Sequence, residues 1–419
     1  MRIVTSADEV EVSPGPVLSP EATETVRRII NDVKERGDGA LVDLTRKFDG
    51  ADVSGRILMT EDEVAAAVDS VPADLKRTID DTAHRLRNLH ERQLPQAWSD
   101  RHEGVRFGEV VRPVESAGCY VPGGRAAYPS SVLMTVIPAR VAGVSRVVVA
   151  TPPQEDGSVS PTVLYAAEVA GADAVYRVGG AQVVAALAYG TESIEAVAMI
   201  VGPGGLWVTV AKREVAGQVG IDGLAGPSEL AIVADAGASP EVLAADLIAQ
   251  AEHDPQARTT FIALDSGMLD PVRVALQRAL VASPRRDIVA EALEHTVGVA
   301  VPSVEEAAAL VDRLAPEHLQ IATVDPSAIL DLVRNFGAAF LGVSTPVPFG
   351  DYGVGSNHVL PTSRTARFAS GLRSAAFVRV ASFVEVDETG LERFGPDVER
   401  FANAEGLAGH ARSSAIRRE

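Results

Sequence analysis

The sequence predicts an α/β fold: two Rossmann-like parallel-sheet lobes, a helical N-terminal region and an extended helical C-terminal tail. Three observations carry that expectation. From residue 146 onward, short β-branched runs alternate with helical segments, the pattern of βαβ units around a parallel sheet. Residues 19–94 show helical patterning without such runs. With 419 residues the chain exceeds what one small core needs, so more than one lobe is expected.

In chain order, residues 1–18 form an N-terminal arm. "SPEATETVRRII" opens a helix with Ser19 as N-cap and Pro20 at the first helical position. "TEDEVAAAV" opens another with a Thr60–Glu63 capping box. "VRFGEVVRPVESAGCYV", from 105, reads as strand and ends near a turn signal, "PGG", at 122–124. "RVVVA" (146–150) is a buried strand, "PTVLYAAEVA" a helix, "AVYRV" a strand, "GGAQVVAALAY" a helix and "AVAMIV" a strand running into "GPGG" (202–205). A second series follows: "LAIVAD" (230–235), a helix reaching "QAEHDP", then strands in "TFIAL", "VGVAV", "LQIATV" and "AAFLG" with helices between them. The last fifty residues read as helical and polar, an appendage rather than a third core. Two lobes joined near residue 225 is the simplest account. The expected division puts 19–118 and 226–369 in a first lobe with the catalytic and metal residues. It puts 119–225 in a second, nucleotide-binding lobe and 370–419 in the tail.

Composition narrows the function classes. Hydrophobic residues make up 46% and charged residues 23%, ordinary for a soluble enzyme. No apolar run reaches the roughly 18–20 residues of a membrane span, and the N-terminus lacks the features of a secretory signal. A cytoplasmic location is the expectation. A net charge of −19 argues against a nucleic-acid partner. The single cysteine, Cys119, excludes an intrachain disulfide framework and a cysteine-rich zinc cluster. Any metal must therefore be held by His, Asp, Glu or Gln. Of the eight histidines, His84, His90, His102 and His295 read as solvated surface residues.

Several constellations remain. Gln250 and His253 are three apart at a helix end, hence on one face. They read either as two ligands of a metal or as polar residues at a fraying terminus. "VGGAQ" (178–182) and "VGPGG" (201–205) follow strands, where parallel sheets bind ligands, but neither is a full dinucleotide fingerprint. Glu317 and His318 adjoin a hydrophobic strand; they suit proton transfer, or His318 stabilises a helix C-terminus. The Gly-rich "FGDYGVGSNHVLPT" (349–362) holds Asp351, Asn357 and His358. Asp351 and His410 could join Gln250 and His253 in an N/O set that suits Zn²⁺.

Seven motifs in order, "CYVPGGRAAYPSSVLM" (119–134), "VGGAQ", "VGIDGLAGPSE" (219–229), "QAEHDP", "PEHL", "GDYGVGSNHVLPT" and "EGLAGH", make the whole chain resemble the histidinol dehydrogenases. The resemblance implies oxidation of L-histidinol through L-histidinal to L-histidine with two NAD⁺. It implies zinc held by Gln250, His253, Asp351 and His410, binding substrate through its imidazole and amino nitrogens. It makes His318 the base for the alcohol and Glu317 the residue that activates water. Ser228, His358 and Glu405 match substrate-contacting positions, and Tyr120 and Gln182 match NAD-contacting ones. It also implies a homodimer that exchanges its C-terminal tails. One departure stands out: Gly205 replaces the usual asparagine of "GPGN", which contacts the nucleotide. Three other readings exist: a relative on the same scaffold oxidising another polar alcohol such as a sulfonated diol, an aldehyde dehydrogenase with Cys119 as nucleophile, and a non-catalytic zinc-binding protein.

Overall fold

The computed structural model describes residues 1–13, 19–123 and 127–419. Part of the N-terminal arm and the last residue of the 122–124 turn lie outside the described residues. Strand β1 (Arg2–Val4) is followed by helices α1 (Pro20–Arg36), α2 (Asp38–Asp49), α3 (Glu61–Ser70) and α4 (Ala73–Glu91). Strands β2 (Trp98–His102) and β3 (Val105–Pro113) lead into the first alternating series: β4 (Ser116–Tyr120), α5 (Pro129–Val141), β5 (Arg146–Ala150), α6 (Pro161–Ala170), β6 (Ala174–Tyr176), α7 (Gly180–Tyr189), β7 (Met199–Val201), α8 (Leu206–Val215) and β8 (Gly220–Ile221). The second series is β9 (Glu229–Ala234), α9 (Pro240–Ala251), β10 (Arg258–Ala263), α10 (Leu269–Ala282), α11 (Arg286–Ala292), β11 (Val297–Ala300), α12 (Val304–Leu314), β12 (His318–Ala322), α13 (Pro326–Leu330), β13 (Ala338–Leu341) and α14 (Pro348–Asp351). Strand β14 (Val378–Val386) and helices α15 (Glu388–Ala404) and α16 (Ala408–Ala415) complete the chain.

Local chemistry sets the helix starts. Ser19 accepts the Ala22 N–H at 3.1 Å, with Pro20 first in the helix. Thr60 and Glu63 close both bonds of a capping box, at 3.1 and 2.8 Å. Two parallel sheets form as the alternation predicts: a six-stranded one in the order β1-β11-β10-β9-β12-β13 and a five-stranded one in the order β6-β5-β4-β7-β8. No helix among the described residues is long and apolar enough to cross a membrane.

Three expectations need correction. The helices of 20–91 build their cores with the five-stranded sheet and its helices, not with the six-stranded sheet; α4 also touches the 353–357 loop. Val26, Ile30 and Val33 of α1 share a core with Val183, Leu187 and Val210. Ile79, Ala83 and Leu86 of α4 share another with Leu133, Val136 and Ile137. Hydrophobic periodicity tells which face of a helix is buried, not which sheet buries it. The tail is not wholly helical either. β14 pairs antiparallel with β3 over nine residues, from Val378 opposite Pro113 to Val386 opposite Val105, beside β2 in a three-stranded sheet. Finally, His90 is fully buried rather than solvated.

Candidate active site

The site is built on opposite edges of the two parallel sheets. Tyr120, Gly179–Gly180 and Gly202–Gly205 follow strands of the five-stranded sheet, at its carboxyl edge. Glu229 and His318 begin β9 and β12, at the amino edge of the six-stranded sheet. The candidate residues thus lie where the carboxyl-edge rule expects them in one sheet and at the opposite edge in the other.

Left-handed Ala315 (φ 47°) ends α12 and turns the chain into β12. Glu317 and His318 both become buried, with Glu317 Oε2 3.5 Å from His318 Nδ1. The Glu229 main chain serves both side chains: its N–H donates to Glu317 Oε2 at 3.0 Å, and its carbonyl faces His318 Nδ1 at 3.2 Å. A carbonyl only accepts, so Nδ1 carries the proton and Nε2 holds the lone pair. That Nε2 is buried without a hydrogen-bond partner, 3.9 Å from Asp351 Oδ1. Burial pushes the His318 pKa down to about 4, so the ring is neutral near pH 7. It is not a charged helix cap. Burial raises the Glu317 carboxyl well above its ordinary range. The Glu229 carboxyl is also buried, accepts the Ser363 N–H at 3.1 Å, and is pushed up to about 7.

The glycine-rich loop delivers Asp351 and His358. His358 Nδ1 donates to the Asp351 carbonyl at 3.1 Å, and Nε2 stands 3.2 Å from Ser131 Oγ on α5. Asn357 anchors the loop: its Oδ1 accepts from Val359 N at 2.8 Å, and its Nδ2 donates to the Met134 carbonyl at 2.7 Å and lies 3.3 Å from His90 Nε2. His90 Nδ1 lies 2.8 Å from Gln93 Oε1, so it carries the proton and Nε2 accepts. Sequence reasoning missed His90, although it continues the buried stripe of Ala83 and Leu86 at helical spacing. It also passed over Glu229 and Ser131, which stand inside two of the seven motifs.

Gln250 lies in the last turn of α9 and is 2% exposed, with Nε2 unpartnered. His253 lies two residues beyond the helix, in a turn closed by its N–H to the Gln250 carbonyl at 3.3 Å, and is exposed. His253 lies near enough to His318 and His358 for a charge on it to disfavour one on either ring. The structure thus brings His253, Glu317, His318, Asp351 and His358 together, beside partly exposed Ser228 at the head of β9. Glu405 and His410 are not in this cluster. They line a tail cavity of about 370 Å³ with Phe394, Val398, Phe401 and Leu407. Among the described residues, no three His, Cys, Asp or Glu side chains stand where they could hold a metal ion. The expected set has Gln250 as one donor and its fourth member on the tail. Gln250, His253 and Asp351 fit zinc in donor chemistry, Gln250 through its carboxamide oxygen, and the buried Gln250 Nε2 has no hydrogen-bond partner.

On the other edge, Gly202 (φ +118°) admits no side chain, because a Cβ would run into the Tyr120 carbonyl. Gln182 is buried with Nε2 unpartnered. Tyr120 is buried, and its hydroxyl accepts from Gly180 N at 3.4 Å. Gly205 caps α8, and nothing lies within 4 Å of where its Cβ would be. These residues fit a nucleotide that approaches the backbone closely. Cys119 is buried and its thiol is pushed up to about 12, which removes it as a nucleophile.

The family model described as histidinol dehydrogenase matches residues 17–418. The histidinol dehydrogenase of Rhizobium meliloti (strain 1021) is 47% identical over 406 residues, 96% of this chain and 93% of that protein. That of Natronomonas pharaonis is 47% identical over 395 residues, 94% and 93% of the two chains. The crystal structure of histidinol dehydrogenase from Elizabethkingia anophelis matches with a TM-score of 0.96 at 34% identity, covering 100% of this chain and 98% of that one.

Proposed function

The chain belongs to the histidinol dehydrogenase family, and from that premise we propose that it oxidises L-histidinol through L-histidinal to L-histidine. It does so with two NAD⁺ and one zinc ion per subunit, as a cytoplasmic homodimer. One observation carries the reading: a neutral His318 whose Nε2 is buried, unpartnered and directed into the cluster with Asp351.

The Glu229 carbonyl holds the His318 tautomer, so Nε2 is free to take the alcohol proton in the first oxidation. A base that stays neutral down to about pH 4 is ready at working pH. Glu317 acts on the aldehyde stage, where its carboxylate takes a proton from the water that adds to the carbonyl. Burial raises its pKa well above the ordinary carboxylate range, so the group takes up a proton more readily than a solvated glutamate. NAD⁺ supplies the hydride acceptor for both oxidations. Gln250, His253, Asp351 and His410 would hold the zinc ion, which would supply a Lewis acid that anchors the substrate. Ser228, His358 and Glu405 contact the substrate; Tyr120, Gln182 and the 202–205 turn contact the nucleotide.

The domain assignment changes with the packing: 19–225 form the nucleotide-binding lobe, and 226–369 supply most of the catalytic and metal residues. Residues 370–419 form the tail, and we assign Glu405 and His410 to the partner's site. In the single chain both are exposed, beside uncovered Phe401 (74% exposed), Val398 and Leu407. An apolar surface of that kind supports burial against a second subunit.

The test is NADH formation by purified, zinc-loaded protein: two equivalents per histidinol, and none from a sulfonated diol. His318→Ala should slow the first oxidation by roughly 10²–10⁴-fold, the range for a lost general base. Glu317→Gln keeps an oxygen for the Glu229 N–H and should stall at the aldehyde. Equal loss of both half-reactions would overturn the role of Glu317, and full turnover after chelation would overturn the role of zinc.

A further inference from the structure

Lys212 of α8 and Asp222, just past β8, form an ion pair whose side chains are only 3% and 7% exposed. Both also bind one glycine. Lys212 Nζ donates to the Gly202 carbonyl at 3.0 Å, and Asp222 Oδ2 accepts the Gly202 N–H at 2.7 Å. Asp222 Oδ1 further accepts the Gly223 N–H at 2.8 Å. Thr209 Oγ1, one turn before Lys212 on the same helix, donates to the Ala225 carbonyl at 2.9 Å. Gly202 follows β7 in a conformation that requires glycine, and the turn it opens reaches Gly205 at the head of α8.

Stability does not account for such a pair. Replacing a buried ion pair by well-packed apolar residues is often neutral or stabilising, because desolvation offsets the Coulomb attraction. An apolar pair, however, leaves Gly202 with neither partner for its N–H nor one for its carbonyl. Lys212 is also no candidate for direct phosphate contact, since it is buried and neutralised by Asp222. We infer that Lys212 and Asp222 are positioning residues for the dinucleotide: they lock the 202–205 turn in the conformation on which the nucleotide lies. The inference rests on the proposed use of NAD⁺.

Two double variants separate positioning from plain structure. Lys212→Met with Asp222→Leu removes the charges and the hydrogen bonds. Lys212→Gln with Asp222→Asn removes the charges and keeps a donor for the Gly202 carbonyl and an acceptor for its N–H. In titration calorimetry, the apolar pair should weaken NAD⁺ binding about tenfold, and the polar pair should restore most of the loss. The KM for NAD⁺ should rise more than the KM for histidinol, with melting temperatures showing that both variants fold. If the apolar pair does not fold, Lys212→Met alone carries the comparison, since Asp222 keeps its two backbone N–H donors. Equal NAD⁺ affinity in the folded apolar and polar variants would overturn the inference while leaving the NAD reading intact. A wild-type protein that binds no NAD⁺ would instead overturn that reading, and the inference with it.

Discussion

Replacing Gly205 by asparagine tests the proposed nucleotide site at the head of α8. The substitution is sterically open: φ is −69° and ψ −177°, and no heavy atom lies within 4 Å of the new Cβ. The new carboxamide has two uses. Directed at the nucleotide, it adds one hydrogen bond worth about 0.5–1.5 kcal/mol, or roughly two- to tenfold in NAD⁺ affinity. Turned back on α8, it fills an N-cap that has no side-chain bond, and asparagine improves on glycine there by only a few tenths of a kcal/mol. Calorimetric titration with NAD⁺ reads the first effect, and melting of the nucleotide-free protein reads the second. We expect tighter NAD⁺ binding with a melting temperature close to wild type. A raised melting temperature with unchanged NAD⁺ affinity would refute the reasoning, because position 205 would then serve the helix and not the cofactor.

Mixed dimers of His410→Ala and Gln250→Ala chains should regain activity towards half per mixed dimer, since exchanged tails put both lesions in one site and none in the other; verified mixed dimers that stay inactive rule out exchange. Burial lowers the pKa of His90 below its ordinary 6.5, so below that pH the unfolded chain takes up a proton that the folded chain refuses. Stability should therefore fall as the pH drops below about 6.5. Urea unfolding of His90→Gln should show a shallower fall over that range, and identical slopes would remove His90 as a contributor. Cys119→Ser should retain both oxidations, and the native thiol should resist alkylation until the protein unfolds; loss of turnover in a folded Cys119→Ser protein would reinstate the nucleophile.

Much of the molecule was legible because its signals are local. Ser19, Thr60 and Glu63 act within one turn, and the β-branched runs of both sheets are buried whichever neighbour they pair with. The errors fall where the decisive partner is distant in sequence. The stripe of α4 reads correctly as amphipathic, but that α5 and α6 cover it is a tertiary fact. β14 was missed because its period-two signal holds only at the ends, in Val378-Arg379-Val380 and Val384-Glu385-Val386, and Ala381-Ser382-Phe383 breaks it in the middle, beside two true helices. For the site, residue types and motifs named the participants, but not the service of one peptide unit, at Glu229, to both Glu317 and His318. Main-chain groups leave no trace in composition. Nor does spacing tell that the two sheets present opposite edges to the cluster.

The nine-residue pairing of β14 with β3 acts as a ruler. An antiparallel strand advances about 3.4 Å per residue, and side chains keep their faces only on even shifts. The smallest slip that preserves the faces of β14 would thus carry α15 and α16 about 7 Å along the sheet, more than twice the length of a metal–ligand bond. Glu405 and His410 therefore reach a fixed place only while that register holds. Insertions on the far side of β3, before Trp98, leave it untouched, whereas a single residue inserted within β14 flips its faces and misplaces both groups together.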